Sequence, residues 1–208
     1  MKRLLVCLSL FFSLITSTKP VHATSTTKPP VTLYLHGAHG TKRSMTPLIQ
    51  AAQWDTNASV ITAKVNRAGE VKFAGHWRAN AKQRLVKVVF ANNQTRNYAT
   101  LATWLHHVLL GLQQRYHVQQ FNVVAHSLGN AGLVFYELKY GQNKHLPQLT
   151  QYVAIAGNFD GIPGKHLGQH ANWLTPSGKP AWLAPNYRFA LKHRHAFPRG
   201  VEVLNLFG

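Results

Sequence analysis

The sequence predicts an α/β fold with a mostly parallel sheet flanked by helices, and three observations support that prediction. Short β-branched and aromatic runs alternate with segments whose apolar residues recur every three or four positions. Hydrophobic residues make up 45% of the 208 residues, which is enough for an ordinary core and excludes wholesale disorder. A compact apolar run at residues 121–125 leads directly into a helical pattern, as at a strand-to-helix corner.

The first 23 residues are predicted to be a secretory signal peptide that is cut after Ala23. Lys2 and Arg3 supply the positive start, and the apolar stretch at residues 4–15 is too short to span a bilayer comfortably. The alternative is a buried N-terminal helix, but the flanking residues do not suit one. Cys7 lies inside this leader, so the mature chain has no cysteine for disulfides or metal ligation. We therefore expect a secreted or cell-surface protein.

Residues 24–30 are rich in Ser, Thr, Lys and Pro and are predicted to be a flexible lead-in to one domain at residues 31–208. Helices are predicted from a cap at Ser44 through Trp54, over residues 98–116, after Ser127 and near residues 187–193. Strands are predicted at residues 31–35, 58–65, 71–74, 85–91, 121–125, 152–156 and 201–207. The Gly/Pro-rich stretch that opens at residue 157 suggests a cap segment over residues 157–195, where Trp173, Trp182 and Tyr187 would bind an apolar group or simply pack.

The pentapeptide Ala125-His126-Ser127-Leu128-Gly129 has the nucleophile-elbow pattern G-x-S-x-G, with Ala in place of the first Gly. A strand that turns sharply into a helix needs small residues two positions before and after the Ser, and Ala125 and Gly129 meet that need. The start of the helix also offers unpaired N–H groups to a developing oxyanion. We interpret Ser127 as a nucleophile; the alternative is a Ser that only caps the helix.

A second feature supports the nucleophile interpretation. The strand at residues 31–35 ends in a His36-Gly37 loop, where one oxyanion N–H would come from Ala38 or Gly37 and the other from Leu128. His36 and Gly37 are therefore predicted to line the pocket. His126 is predicted to line it too rather than to act as the base, because adjacent elbow residues point away from each other.

These residues resemble the secreted α/β-hydrolases of unknown function from Gram-positive bacteria that are often labelled cell-surface hydrolases. The matching pieces occur in family order and span most of the mature chain: residues 35–37 with 40–41, 98–116, 121–129, 153–161 and 203–208. The resemblance implies an α/β-hydrolase fold, Ser127 as nucleophile, and a small-molecule or lipid ester or a similar acyl substrate.

The resemblance also implies a triad Asp in a loop after the strand at residues 201–207, then a last strand and a loop with the triad His. Because the sequence given ends at Gly208, we expect those pieces to be lacking. Asp160 follows the strand after the nucleophile helix, a position that some lipases use for the triad acid; the alternative is a turn Asp. His193 and His195 follow the Ser as triad order requires, but their basic neighbours favour a solvated face.

Composition limits the remaining chemistry. The chain has only five carboxylates, which makes paired-carboxylate glycosidase chemistry and carboxylate-rich Ca²⁺ or Mg²⁺ sites improbable. His166 and His170 are four residues apart, but nearby glycines favour a loop and no carboxylate is close. We expect neither a metal nor a cofactor.

The formal net charge of +18 comes from 23 Lys and Arg residues that are spread through the chain. An exported basic protein meets anionic cell-wall polymers and lipid headgroups, so we expect electrostatic retention at such a surface and no nucleic-acid partner. The alternative is that the charge only maintains solubility. Two functions remain open: a secreted serine esterase or lipase, or an inactive or truncated relative that binds the cell surface.

Overall fold

The computed structural model describes residues 29–157, 159, 173, 175–178 and 181–207. Within these residues, seven strands form one sheet in the order β3-β2-β4-β1-β5-β6-β7. The strands are β1 (Val31–Leu35), β2 (Ala58–Val65), β3 (Val71–Ala74), β4 (Gln83–Phe90), β5 (Gln120–His126), β6 (Gln148–Ile155) and β7 (Glu202–Leu206). Only the β2–β3 pair is antiparallel, so the predicted α/β fold with a mostly parallel sheet is confirmed.

Four α-helices connect these strands: α1 (Thr46–Thr56), α2 (Tyr98–Tyr116), α3 (Leu128–Tyr140) and α4 (Pro185–His193). A short 3-10 turn, Arg194–Ala196, follows α4. None of the helices in the described ranges is long and apolar enough to cross a membrane.

The core lies on both faces of the sheet. On one face, α2 and α3 pack against each other, and four leucines of α2 at spacings of three and four are at most 2% exposed (Leu101, Leu105, Leu109 and Leu112). On the other face, α1 covers Tyr34 and Leu85 with Met45 and Ile49. The edge strand β7 contributes no buried residue, and Phe207 just beyond it is 84% exposed.

Two local predictions differ from the structure. Ser44 does not cap α1: the residue at the cap is Met45, and the Ser44 hydroxyl instead accepts a hydrogen bond from the Thr41 N–H. A turn directly before the helix competes for that hydroxyl. Strand β6 also begins four residues before the predicted start at 152, because Gln148 pairs with Gln120 and donates its N–H to Gln119.

The register of the parallel strands brings their carboxyl ends to one edge of the sheet. Leu35 of β1 pairs with Val88 of β4 and with Ala125 of β5, and His126 pairs with Ile155 of β6. The loops that follow β1, β5 and β6 therefore meet at this edge, where parallel α/β sheets commonly bind ligands.

Candidate active site

Ser127 occupies the sharp corner between β5 and α3. Its backbone has φ +49° and ψ −118°, a left-handed φ that non-glycine residues rarely adopt and that costs about 1–3 kcal/mol. Two hydrogen bonds hold the corner: the Ser127 N–H donates to the Ile155 carbonyl at 3.0 Å, and its own carbonyl accepts from the Asn130 N–H at 3.0 Å. Strain of this kind persists only where the surrounding structure fixes it.

Close packing behind the corner explains why its neighbours are small. A Cβ on Gly129 would lie 2.9 Å from both the Cβ and the carbonyl oxygen of Leu35, and 3.0 Å from the His36 carbonyl. Ala125 is fully buried on the strand side. The first turn of α3 therefore sits directly against the end of β1.

Asn130 is a positioning residue that the sequence did not reveal. It is fully buried, and its side-chain amide donates to the carbonyls of Ser127 (3.1 Å) and Ile155 (3.0 Å). Its Oδ1 accepts from the Tyr152 hydroxyl at 2.7 Å. Asn130 thus ties the corner to β6. An Asn in the first turn of a predicted helix is usually exposed, so no sequence signal pointed to this role.

The loop after β1 lies beside the nucleophile. A Cβ on Gly37 would lie 2.9 Å from the Ser127 Cβ and 2.8 Å from the His126 Nδ1. The structure therefore brings Gly37, His126 and Ser127 together, as the elbow interpretation expects. His126 is exposed, and both its ring and the Ser127 side chain face this loop.

His36 holds this loop from below and is itself 3% exposed. Its Nε2 accepts from the Phe90 N–H at 3.1 Å, and its Nδ1 lies 2.8 Å from the Gly37 carbonyl. These partners require the proton on Nδ1 and a free lone pair on Nε2. Burial lowers the pKa of His36, with the Gly37 hydrogen bond acting in the opposite direction, so the ring stays neutral. The contacts make His36 a support for the loop.

The loop after β1 and the start of α3 each leave one backbone N–H without a hydrogen-bond acceptor in the described part of the chain. The N–H groups of His39 and Gly40 are used within the loop and toward Asn93, whereas that of Ala38 has no partner among the described residues. Leu128 is the first residue of α3, so its N–H has no acceptor in the preceding turn of the helix. The positive end of the helix dipole also lies here.

The Ser127 hydroxyl has no hydrogen-bond partner among the described residues. His195 is far away, because its neighbour Ala196 accepts from Gln142 just beyond the far end of α3. The thirteen residues of α3 span about 20 Å.

His193 lies on the same distant side. Its Nδ1 is 2.8 Å from the Phe189 carbonyl one turn earlier, and Phe189 stacks on Phe135 in the middle of α3. Both histidines are exposed. The predicted acid Asp160 and the histidine pair His166 and His170 lie outside the described residues, as does much of the predicted cap segment.

The parallel sheet and the Ser at a strained strand-to-helix corner define the protein as an α/β-hydrolase. More particularly, residues 18–208 match the family model described as alpha/beta hydrolase of unknown function (DUF915), and the chain belongs to that family.

Two crystal structures share the fold. One is the product of a gene from Listeria innocua, 24% identical, with a TM-score of 0.70 over 84% of this chain and 68% of that one. The other is a candidate cell surface hydrolase from Lactobacillus plantarum, 19% identical, with a TM-score of 0.72 over 88% of this chain and 69% of that one. No curated protein matches the sequence.

Proposed function

We propose that the protein is a serine hydrolase that cleaves carboxylic esters or related acyl substrates, with Ser127 as nucleophile. The observation that carries the proposal is the strained φ of +49° at Ser127, at the start of α3 and beside the Gly37 loop. Membership of an α/β-hydrolase family supports it. A merely structural Ser has no need of such a backbone conformation.

In this reaction the Ser127 hydroxyl oxygen bonds to the acyl carbon of the ester, and the carbonyl oxygen becomes negatively charged. The N–H groups of Leu128 and Ala38 would donate to that oxygen, aided by the dipole of α3. Collapse of the intermediate expels the alcohol and leaves an acyl-enzyme, which water then hydrolyses. Because these N–H donors are already in place before the reaction, they stabilise the oxyanion without a cost of reorganisation.

The hydroxyl proton must pass to a base, and that base must be oriented. We propose Asp160 as the acid that orients it. Asp160 comes shortly after β6, whose last residue, Ile155, pairs with His126 and accepts from the Ser127 N–H.

A second candidate is a catalytically inactive relative that is retained at an anionic cell surface. It is favoured by one observation: the Ser127 hydroxyl has no partner in the described part of the chain. A surface location is part of both candidates. The N-terminal leader pattern supports it, as does the fold shared with a candidate cell surface hydrolase.

Turnover of short-chain nitrophenyl esters separates the two candidates. The purified protein should hydrolyse them, and Ser127→Ala should lower kcat/KM by at least about a thousandfold while the circular dichroism spectrum stays the same. Ser44→Ala is a matched control, because Ser44 also lies before a helix, after the β1 loop. Equal activity in the wild type and Ser127→Ala would exclude Ser127 as nucleophile, and no turnover by any variant would favour the inactive relative.

A further inference from the structure

A basic groove runs along the end of the sheet opposite Ser127. It consists of two adjoining clefts of about 720 Å³ and 400 Å³, both of which contact Pro29 and Arg84. Pro29 precedes β1, and Gln120 and Gln148 are the first residues of β5 and β6. We call the two clefts together the basal groove. The larger one alone has the volume of an ordinary ligand site.

The polar side chains that line the basal groove are mostly basic residues and amides. None of its lining residues is Asp or Glu. The basic ones are spread along its length: Arg78, Lys82, Arg84, His117, Lys144 and His145. Such a row suits a partner with many negative charges in sequence better than a small molecule with one.

Two of these cations are held in place. Arg84 donates from Nη2 to the Pro29 carbonyl at 3.1 Å, and its guanidinium carbon lies 5.2 Å from the centre of the Trp77 ring. Burial lowers the pKa of Arg84, although an arginine stays charged at neutral pH. Lys144 donates to the Gln148 Oε1 at 3.1 Å. A partly desolvated, oriented cation binds an anion more strongly than one on a free side chain.

Within the described part of the chain, no carboxylate that lines the groove cancels this charge. Glu137 is the carboxyl that interacts electrostatically with Lys144, but it is 1% exposed, and burial raises its pKa to about 8. It is therefore mostly protonated at neutral pH. The N-terminal residues 1–28 contain basic residues and no Asp or Glu, so they cannot neutralise the groove either.

We propose that the basal groove binds a linear polymer that carries phosphate groups along its length. Arg and Lys are the usual phosphate ligands in proteins, and the Gln119 amide at the groove can donate to further phosphate oxygens. The large excess of Lys and Arg over Asp and Glu attracts such a polymer over a longer range.

The aromatic residues of the groove argue against a single-stranded nucleic acid. Trp77 packs against Tyr116 with ring centres 5.0 Å apart and also contacts the Arg84 guanidinium. Tyr116 in turn lies under Arg115, at 5.6 Å. Proteins that bind single strands need open aromatic faces on which bases stack. These rings are already engaged, so the groove can contact charged oxygens and offers little to bases.

Soluble polyphosphate tests the proposal. The groove variant Lys82→Gln with Lys144→Gln should bind it about tenfold more weakly than wild type at 50 mM salt, with a shallower salt dependence. The matched control is Lys72→Gln with Lys192→Gln, which removes two exposed lysines outside the groove. This control should bind within about twofold of wild type.

Three outcomes would overturn the proposal. Equal weakening in both double variants would mean that only the overall charge matters. Tighter, groove-dependent binding of an oligothymidylate of matched charge would indicate a nucleic acid. Groove-dependent binding of vesicles that contain anionic phospholipid, with none of polyphosphate, would indicate a lipid surface. Ser127→Ala should bind polyphosphate like wild type, so this test is independent of the proposed reaction.

Discussion

Helix α3 carries a buried polar side chain near each end, and the two side chains differ in their hydrogen bonding. In the first turn, Asn130 is fully buried and uses its amide and its oxygen in three hydrogen bonds, to Ser127, Ile155 and Tyr152. In the last turn, Glu137 is 1% exposed, and its Oε1 has no hydrogen-bond partner among the described residues. The same helix thus carries a satisfied network at one end and an unsatisfied carboxyl at the other.

This difference indicates that the start of α3, and not its end, is built to hold one fixed geometry. A fully bonded buried amide has one arrangement of lowest energy, so it holds the strained corner at Ser127. A buried carboxyl without partners instead keeps its proton, and burial raises the pKa of Glu137 to about 8. The negative end of the helix dipole lies nearby and also disfavours a carboxylate. The first end maintains geometry, whereas the second lowers stability.

Among the substitutions in α3, replacing the Glu137 carboxyl in the last turn should have the largest effect on stability. Because the folded-state pKa of Glu137 is raised, the folded protein holds a proton that the unfolded chain releases as pH rises above about 4.5. Stability should therefore fall between pH 5 and pH 9. Glu137→Gln should remove this fall and be more stable than wild type by roughly 5 kcal/mol at pH 9, with a much smaller difference at pH 5.

Urea unfolding at both pH values measures this difference. Glu202→Gln is the matched control, because Glu202 is exposed on β7 and its replacement should change stability by much less than that of Glu137. If Glu137→Gln and wild type respond to pH in the same way, Glu137 is ionised in the folded protein and the contrast between the two ends fails.

A methyl group added at Gly129, in the first turn of α3, should have the next largest effect on stability. Gly129→Ala places its Cβ 2.9 Å from Leu35, including a backbone oxygen that cannot move freely. We expect a loss of about 2 kcal/mol in stability and a marked loss of activity. Gly132→Ala, one turn further along α3, meets only the Leu101 Cβ at 3.4 Å. It should be neutral or slightly stabilising, so equal thermal melts for the two variants would refute the packing account of the corner.

Loss of one bond in the Asn130 network should have the smallest of these effects. Tyr152→Phe removes the hydroxyl that donates to Asn130 and should cost about 1 kcal/mol in stability. It should also slow ester turnover modestly, because Asn130 holds the Ser127 carbonyl. Tyr140→Phe is the control, since no described residue accepts from the Tyr140 hydroxyl. An unchanged turnover in Tyr152→Phe would show that the network does not reach Ser127.

The sequence was informative about the fold because local patterns dominate there. The strands over residues 58–65 and 71–74 and the helix over residues 98–116 have the predicted bounds, since apolar alternation and helical spacing coincide with burial. The start of β6 was missed because its first residues are held by pairing with β5, a contact between distant segments. The sequence predicts a cap at Ser44 because composition does not show the turn in which the Thr41 N–H uses the Ser44 hydroxyl.

The site was predictable only in outline. The elbow pattern is recognisable in the sequence because a sharp strand-to-helix turn needs small residues around the Ser, so Ser127 and Gly129 stood out. Asn130 and Glu137 looked like ordinary polar residues on a helix, and only the packing of α3 shows that both are buried. His36 stood out as a pocket residue, but its hydrogen bond with the Phe90 N–H, fifty-four residues along the chain, was not visible in the sequence.

The central claim is that Ser127 is a nucleophile, and a fluorophosphonate probe tests it most directly. The probe should add once to the folded protein, and peptide mass spectrometry should place the adduct on Ser127. Ser127→Ala should take up no probe, while Ser44→Ala should react like wild type. An adduct on another residue, or none on folded wild-type protein under conditions that label a known serine esterase, would contradict the claim.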